Sequence, residues 1–265
     1  MHPGAWFAWV LCAGVVVLLT TNPFYLLPLV AAAWLVHAAH KLPGPQSRSF
    51  KIFLLFGCVT IVTRTVLVFF GGAVTRESAA AAAAEGLRLA VLLVLFGTFN
   101  SVSDPFRLLR LAPRRWHEPA LAAALALSFT PRTIDSVGRV REAQRLRGLD
   151  VRRWRSWPAL AVPVLETGME EAVTLAESMD ARGHGRGRRT RYRPDRWRTG
   201  ASLIAGVSVL AALTFVTAAR ASAGGLLVST YPLRWPEANA LLVAAALTFA
   251  FPGFLPRPVE RGSSS

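Results

Sequence analysis

Lysine is almost missing from this chain. Only Lys41 and Lys51 occur in 265 residues, and neither follows a glycine. A nucleotide-binding P-loop needs Gly-x-x-x-x-Gly-Lys-Ser/Thr, so the chain does not carry the Walker A loop of an ATPase. Charge of either sign is also scarce, at 17% of residues against the roughly one quarter of a soluble domain. With 53% hydrophobic residues and a mean hydropathy of +0.40, the composition excludes both a soluble domain and a disordered chain. Cysteine occurs twice, at Cys12 and Cys58, each inside an apolar run, which reads as inert packing and excludes a disulfide scaffold. The histidines are His2, His37, His40, His117 and His184, and none belongs to a His-Glu-x-x-His motif. His37 and His40 lie three apart near a helix end and read as an interfacial amphipathic pair. No Gly-x-Ser-x-Gly nucleophile elbow exists either. No catalytic residue, metal or cofactor is therefore expected.

What the chain does hold is apolar runs and arginine. Six runs are candidates for membrane helices: Ala5–Thr20, Phe24–Ala39, Phe50–Phe70, Leu87–Val102, Ala201–Ala219 and Ala238–Leu255. A span needs about 17–25 residues. Several runs sit at or below that floor, and the first two, joined at Thr21-Asn22-Pro23, are read as full spans, a tight pair or a re-entrant hairpin. Ala79–Ala84 is six consecutive alanines, read as an outer loop or a helical extension of the fourth span. Arg64 falls inside the third run. A charge at that depth is either functional or snorkels to the interface.

Arginine supplies 28 of the 30 basic residues, against 15 acidic ones, for a net +15. The stretch from Arg107 to Arg198 holds 20 Arg and 10 acids, a block of +10 between apolar ends. Basic loops stay in the cytoplasm. The loop with Lys41, Arg48 and Lys51 and the Arg107–Arg198 block are separated by two spans, so both fall inside together. The predicted fold class is an all-α integral membrane protein of about six transmembrane helices, with a cytoplasmic helical domain inserted before the last two. Its expected divisions are residues 1–102, transmembrane; 103–198, cytoplasmic; 199–256, transmembrane; and 257–265, a cytoplasmic tail. The expected location is the cell membrane, multi-pass, with both termini cytoplasmic. No positive n-region precedes the first run, so no secretory leader is expected.

The arginine-rich block is punctuated as helices. Ser103-Asp104-Pro105 is a helix start, and Phe106, Leu108, Leu109 and Leu111 alternate with Arg107 and Arg110 as in an interfacial helix. Glu118-Pro119 opens a helix to Phe129. Thr130-Pro131 opens another that ends at Gly148. A further helix runs from about Pro163 to Arg182, with Leu165, Met169, Ala172, Ala176 and Met179 forming a one-sided apolar stripe. Such a stripe is expected to pack against another helix. Both long helices end alike. One closes Ala143-Gln144-Arg145-Leu146-Arg147-Gly148, the other Met179-Asp180-Ala181-Arg182-Gly183. Each has an Arg where the helix dipole favours a cation, then a Gly able to take the left-handed conformation that stops a helix. An Arg at a helix tip is also suited to a partner's carboxylate, which its planar fork bonds bidentately.

These paired endings resemble the transmembrane T component of energy-coupling factor (ECF) transporters, the EcfT/CbiQ family. Ala143-Gln144-x-x-Arg147-Gly148 and Ala181-Arg182-Gly183 carry the resemblance. Asn22-Pro23, Ser103-Asp104-Pro105-Phe106 and Phe129-x-Pro131 support it. The family motif is Ala-Arg-Gly. The second copy matches it, and the first reads Leu146-Arg147-Gly148, with Leu in place of Ala. The resemblance implies a non-catalytic scaffold that couples ATP hydrolysis by two ABC-type ATPase subunits to a small substrate-binding membrane subunit. The cargo would be a transition-metal ion such as cobalt or nickel, or a vitamin such as biotin. It implies ATPase docking by Leu146, Arg147, Gly148, Ala181, Arg182 and Gly183.

The alternative is a polybasic membrane protein that binds anionic lipid or nucleic acid. The run from Arg182 through Arg186, Arg188, Arg189, Arg191, Arg193, Arg196 and Arg198 is a basic patch next to the fifth span. Anchoring on acidic lipid, worth about 1 kcal/mol per basic residue, explains it most simply. Trp154, Trp157 and Trp197 beside it fit an interfacial belt better than base stacking, so no nucleic-acid partner is expected.

Overall fold

The structure is a computed structural model that describes residues 2–42, 46–70, 75–148, 157–184, 197, 199–221, 226 and 238–256. Among these residues every regular element is helical. The chain divides into two compact units, one of Met1–Leu108 with Asp195–Ser265 and one of Leu109–Pro194.

The first unit contains α1 (Pro3–Leu19), α2 (Pro23–His40), α3 (Gln46–Phe70), α4 (Arg76–Val102), α8 (Thr199–Ala221) and α9 (Ala240–Thr248). Four helices, α2, α3, α4 and α8, are long and apolar enough to cross a membrane, and α1 at 17 residues falls just short of them. The sixth apolar run is more broken. It holds the nine-residue α9 and a 3-10 turn, Phe251–Phe254.

Asparagine and proline separate the first two helices. The Asn22 side-chain carbonyl accepts from the Phe24 N–H at 3.0 Å, and Pro23 fills the first turn, where a missing N–H costs nothing. The two helices do not pack as a tight pair. α1 packs chiefly on α8 and α4, and α2 on α4 and α9. The buried Trp9 indole N–H donates to the Phe249 carbonyl at 3.0 Å, tying α1 to the end of α9. The Asn239 N–H donates to the Tyr25 hydroxyl at 3.0 Å, tying the start of α9 to α2. On α8 the buried residues Ala201, Ile204, Ser208, Ala211, Phe215 and Ala219 recur at helical steps, giving one inward face.

α3 and α4 pack through small residues. A Cβ added at Gly57 would lie 3.3 Å from Ala90 Cβ, one at Gly86 3.0 Å from Ile61 Cα, and one at Gly97 2.7 Å from Phe53 Cβ. In a bilayer the hydrophobic effect does not drive helices together, and close backbone approach at small residues does. The alanine run Ala79–Ala84 is the first part of α4, so it extends that helix and is not a loop. Arg64 finds a partner there: its guanidinium lies 3.6 Å from the Glu85 carboxylate, with both side chains about half exposed. The outer face of α3, including Leu55, Phe56 and Val62, is exposed as a lipid-facing surface would be.

Two sequence expectations are corrected in this unit. Cys58 is exposed on α3 and is not packed. His37 and His40 are not an amphipathic pair at an interface. The His37 Nδ1 is 2.8 Å from the Ser101 hydroxyl with its ring stacked 4.0 Å from Phe50, and the buried His40 ring lies 5.2 Å from Trp6. Both histidines join helices together.

Candidate functional site

The second unit carries the paired endings. Its described elements are a 3-10 turn, Arg114–Trp116, then α6 (His117–Leu146) and α7 (Trp157–Ala181). Just before it, α5 (Pro105–Leu109) starts where the Phe106 N–H donates to the Asp104 carboxylate at 2.9 Å. α6 and α7 pack against each other.

The two helices expected over 118–129 and 131–147 are one, a 30-residue helix with Pro131 inside. Pro131 cannot donate to the Leu127 carbonyl. Two threonine hydroxyls beside it bond back one turn, and neither reaches the Leu127 carbonyl. The Thr130 hydroxyl donates to the Ala126 carbonyl at 2.9 Å and the Thr133 hydroxyl to the Phe129 carbonyl at 3.1 Å. α7 likewise begins at Trp157, six residues before the expected start, and contains Pro163.

The stripe on α7 is also corrected. Leu165, Met169, Ala172 and Ala176 are exposed, Met169 by 70%. α7 turns a neighbouring face inward, on which Leu160 is buried and Val164, Thr167, Glu171, Leu175 and Met179 are half-buried. The opposing helix α6 has Ser136 buried and Val140 and Gln144 half-buried, at steps of four. One hydrogen bond fixes the register: the Gln144 amide donates to the Ala159 carbonyl at 3.2 Å. Sequence reasoning missed that bond. The available signal was Pro163, four residues after Ala159.

Both tips share a glycine conformation and an inner capping bond. Gly148 has φ 79° and Gly183 φ 77°, the left-handed region open to glycine. At the second tip the Gly183 N–H donates to the Asp180 carbonyl at 2.8 Å and the His184 N–H to the Met179 carbonyl at 2.9 Å. These are the two bonds of a Schellman cap, with Arg182 at the C-cap and Gly183 after it. At the first tip the Gly148 N–H donates to the Arg145 carbonyl at 3.0 Å, the equivalent inner bond, with Arg147 at the C-cap. Arg147, Ala181 and Arg182 are exposed, and Leu146 is 87% exposed. Among the described residues neither tip guanidinium is in an ion pair. The six predicted site residues therefore lie at two separate helix ends, three on each, with Leu146, Arg147, Gly148, Ala181 and Arg182 exposed and each end closed by a glycine at positive φ.

The described residues hold no cluster of three or more metal-ligating side chains. Of the expected basic patch, Arg182 is described and the arginines from Arg186 on lie outside the described residues, as does Trp154. Trp157 and Trp197 are exposed, and the Trp197 ring lies 4.6 Å from that of His2.

The chain is similar to energy-coupling factor transporter transmembrane proteins named EcfT from several bacteria. It is 34% identical to that of Listeria innocua over 124 residues, covering 44% of this chain and 46% of the relative. It is 33% identical to that of Thermanaerovibrio acidaminovorans over 141 residues, covering 47% and 52%. Against the Bacillus subtilis protein it is 36% identical over 108 residues, covering 37% and 40%. The chain spans about half the length of the curated relatives it matches. The family described as Cobalt transport protein, CbiQ, matches residues 1–192, which takes in α1–α7 and both capped tips. An all-helical membrane chain matched over that length belongs to the CbiQ family.

Proposed function

We propose that this chain is the T component of an energy-coupling factor importer. In this reading it is a non-catalytic transmembrane scaffold that couples ATP hydrolysis by two ABC-type ATPase subunits to a small substrate-binding membrane subunit. The cargo is a vitamin or a transition-metal ion, cobalt, nickel or biotin among them. The observation that carries the reading is the pair of tips: Arg147 and Arg182, each at a C-cap, each before a glycine at positive φ. A planar fork held at a rigid helix end matches a carboxylate-lined groove, and two such ends match two ATPase subunits. Leu146 and Ala181 lie beside the forks, so each tip offers apolar contact with its charge.

Residues 103–198 form the cytoplasmic coupling domain, and 1–102 and 199–256 form the transmembrane part. The tail, 257–265, and the N-terminus are cytoplasmic. The exposed stripe of α7 supports the membrane-subunit side of the assembly. Val162, Leu165, Met169 and Val173 form an apolar face left without a partner from α6.

Co-purification of the full chain from its own membranes in mild detergent tests this. Two ABC-type ATPases and a small membrane protein should be recovered, and should persist at high salt. Recovery without ATPases, with salt-sensitive retention on DNA, would overturn the proposal.

A further inference from the structure

Gln144 lies in the motif at the end of α6 but is not at its tip. It is half-buried, while its neighbours Ala143, Arg145, Leu146 and Arg147 are exposed. Its amide donates to the Ala159 carbonyl on α7. In an uninterrupted helix that carbonyl would accept from the N–H of residue 163, and residue 163 is proline, which has none. Ala159 is half-buried and Leu160 beside it is buried, so the freed carbonyl faces the crossing of the two helices and is poorly placed to bond water. The Thr167 hydroxyl donates to the Pro163 carbonyl at 2.9 Å, bracing the following turn.

We infer that Gln144 is a positioning residue: it fills the carbonyl that Pro163 leaves open and so fixes where α6 crosses α7. The consequence lies in the lever arms. Gln144 is three residues from Arg147, about 4.5 Å along the axis, whereas Ala159 is 23 residues from Arg182, about 34 Å. The clamp therefore sits close to the first tip and far from the second. A change of about 10° at the clamp leaves Arg147 nearly still and moves Arg182 by roughly 6 Å, from that helical rise. Gln144 and Pro163 act as one device, and neither explains the bond without the other. The link to transport rests on the reading of the tips as ATPase-docking sites.

The full chain without Cys12 and Cys58, spin-labelled at Glu142 and Ser178, reports the crossing through its pulsed-EPR distance distribution. Gln144→Leu keeps the size of the side chain and removes the donor. It should shift or broaden the distribution by several ångströms, about the arm calculated above, and weaken ATPase capture at least tenfold. Pro163→Ala returns an N–H to the Ala159 carbonyl. Gln144→Leu/Pro163→Ala should therefore restore membrane levels but neither the parental distribution nor capture, because the bond between α6 and α7 is still missing. An unchanged distribution in Gln144→Leu overturns the inference, and so does recovery of the parental distribution in the double variant, because filling the carbonyl would then suffice without a clamp. If Gln144→Leu does not reach the membrane, the double variant must; loss of both overturns it equally. If the distances change while capture never moves, the clamp stands and the docking reading fails.

Discussion

Charge reversal at the tips separates docking from general electrostatics. In the free chain Arg147 and Arg182 are exposed, so Arg147→Glu or Arg182→Glu costs the folded subunit little. The loss of a favourable cation and the gain of an unfavourable anion at a helix C-terminus are worth about 0.3–1 kcal/mol each. Insertion and thermal stability should thus stay near parental. In a groove on an ATPase the same fork becomes desolvated and paired, and breaking a buried pair costs about 3–5 kcal/mol. At 1.4 kcal/mol per decade this is a loss of roughly 100- to 4,000-fold in affinity. Arg141→Glu is the control: an equal charge change on an exposed residue of α6, six residues before Arg147 and so about 9 Å down the helix. If it stays exposed it should cost about 0–1 kcal/mol. The assay is titration of detergent-purified chain with its ATPases, followed by fluorescence anisotropy. The double tip variant should be weaker than either single one. Equal losses for Arg141→Glu, Arg147→Glu and Arg182→Glu would refute the reasoning, because charge density would then explain binding without any tip.

Gly183→Ala meets open space, so its cost comes only from φ 77°, about 1–2 kcal/mol, seen as faster hydrogen exchange at the His184 amide. Gly97→Val forces a methyl group against Phe53 Cβ and should destabilise the α3–α4 contact by about 1–3 kcal/mol, read as lower membrane levels; Gly14→Ala, which meets nothing within 4 Å, should be neutral. Met169→Glu on the exposed stripe should leave stability within about 0.5 kcal/mol yet reduce recovery of the small membrane subunit. Glu177→Cys, in the background without Cys12 and Cys58, should resist a membrane-impermeant thiol reagent in intact cells if the proposed orientation, with the basic block inside, holds; ready labelling would invert it.

The parts of the fold that were legible in the sequence depend on local chemistry. A glycine after an arginine at the end of a periodic run is enough to specify the capped tips at Gly148 and Gly183, because the left-handed conformation needs no distant partner. Asn22-Pro23 separates α1 from α2 for the same reason. The misread features depend on residues far along the chain. Pro131 and Pro163 read locally as helix starts, but both lie inside helices. At Pro163 the carbonyl it frees is filled by Gln144, whose own position is set by α6. The partner of Arg64 is Glu85, on the next helix, and no periodicity within α3 points to it.

The apolar stripe of α7 is the most instructive case. Its period identified a real face, and the structure leaves that face exposed. The face that meets α6 is more polar, with Thr167 and Glu171 among its half-buried positions. Hydrophobic spacing reports that a helix face avoids water, and it does not report which chain covers it. An uncovered row of Val162, Leu165, Met169 and Val173 marks an interaction surface more strongly than a buried one would. The polar seam with α6 follows from the same division. If the greasier face is reserved for a partner that must release, the internal contact has to be held by directional bonds, and Gln144 to Ala159 is one. A crossing fixed by few directional bonds can be reset by a small displacement, whereas one sealed by a broad apolar seam would resist it.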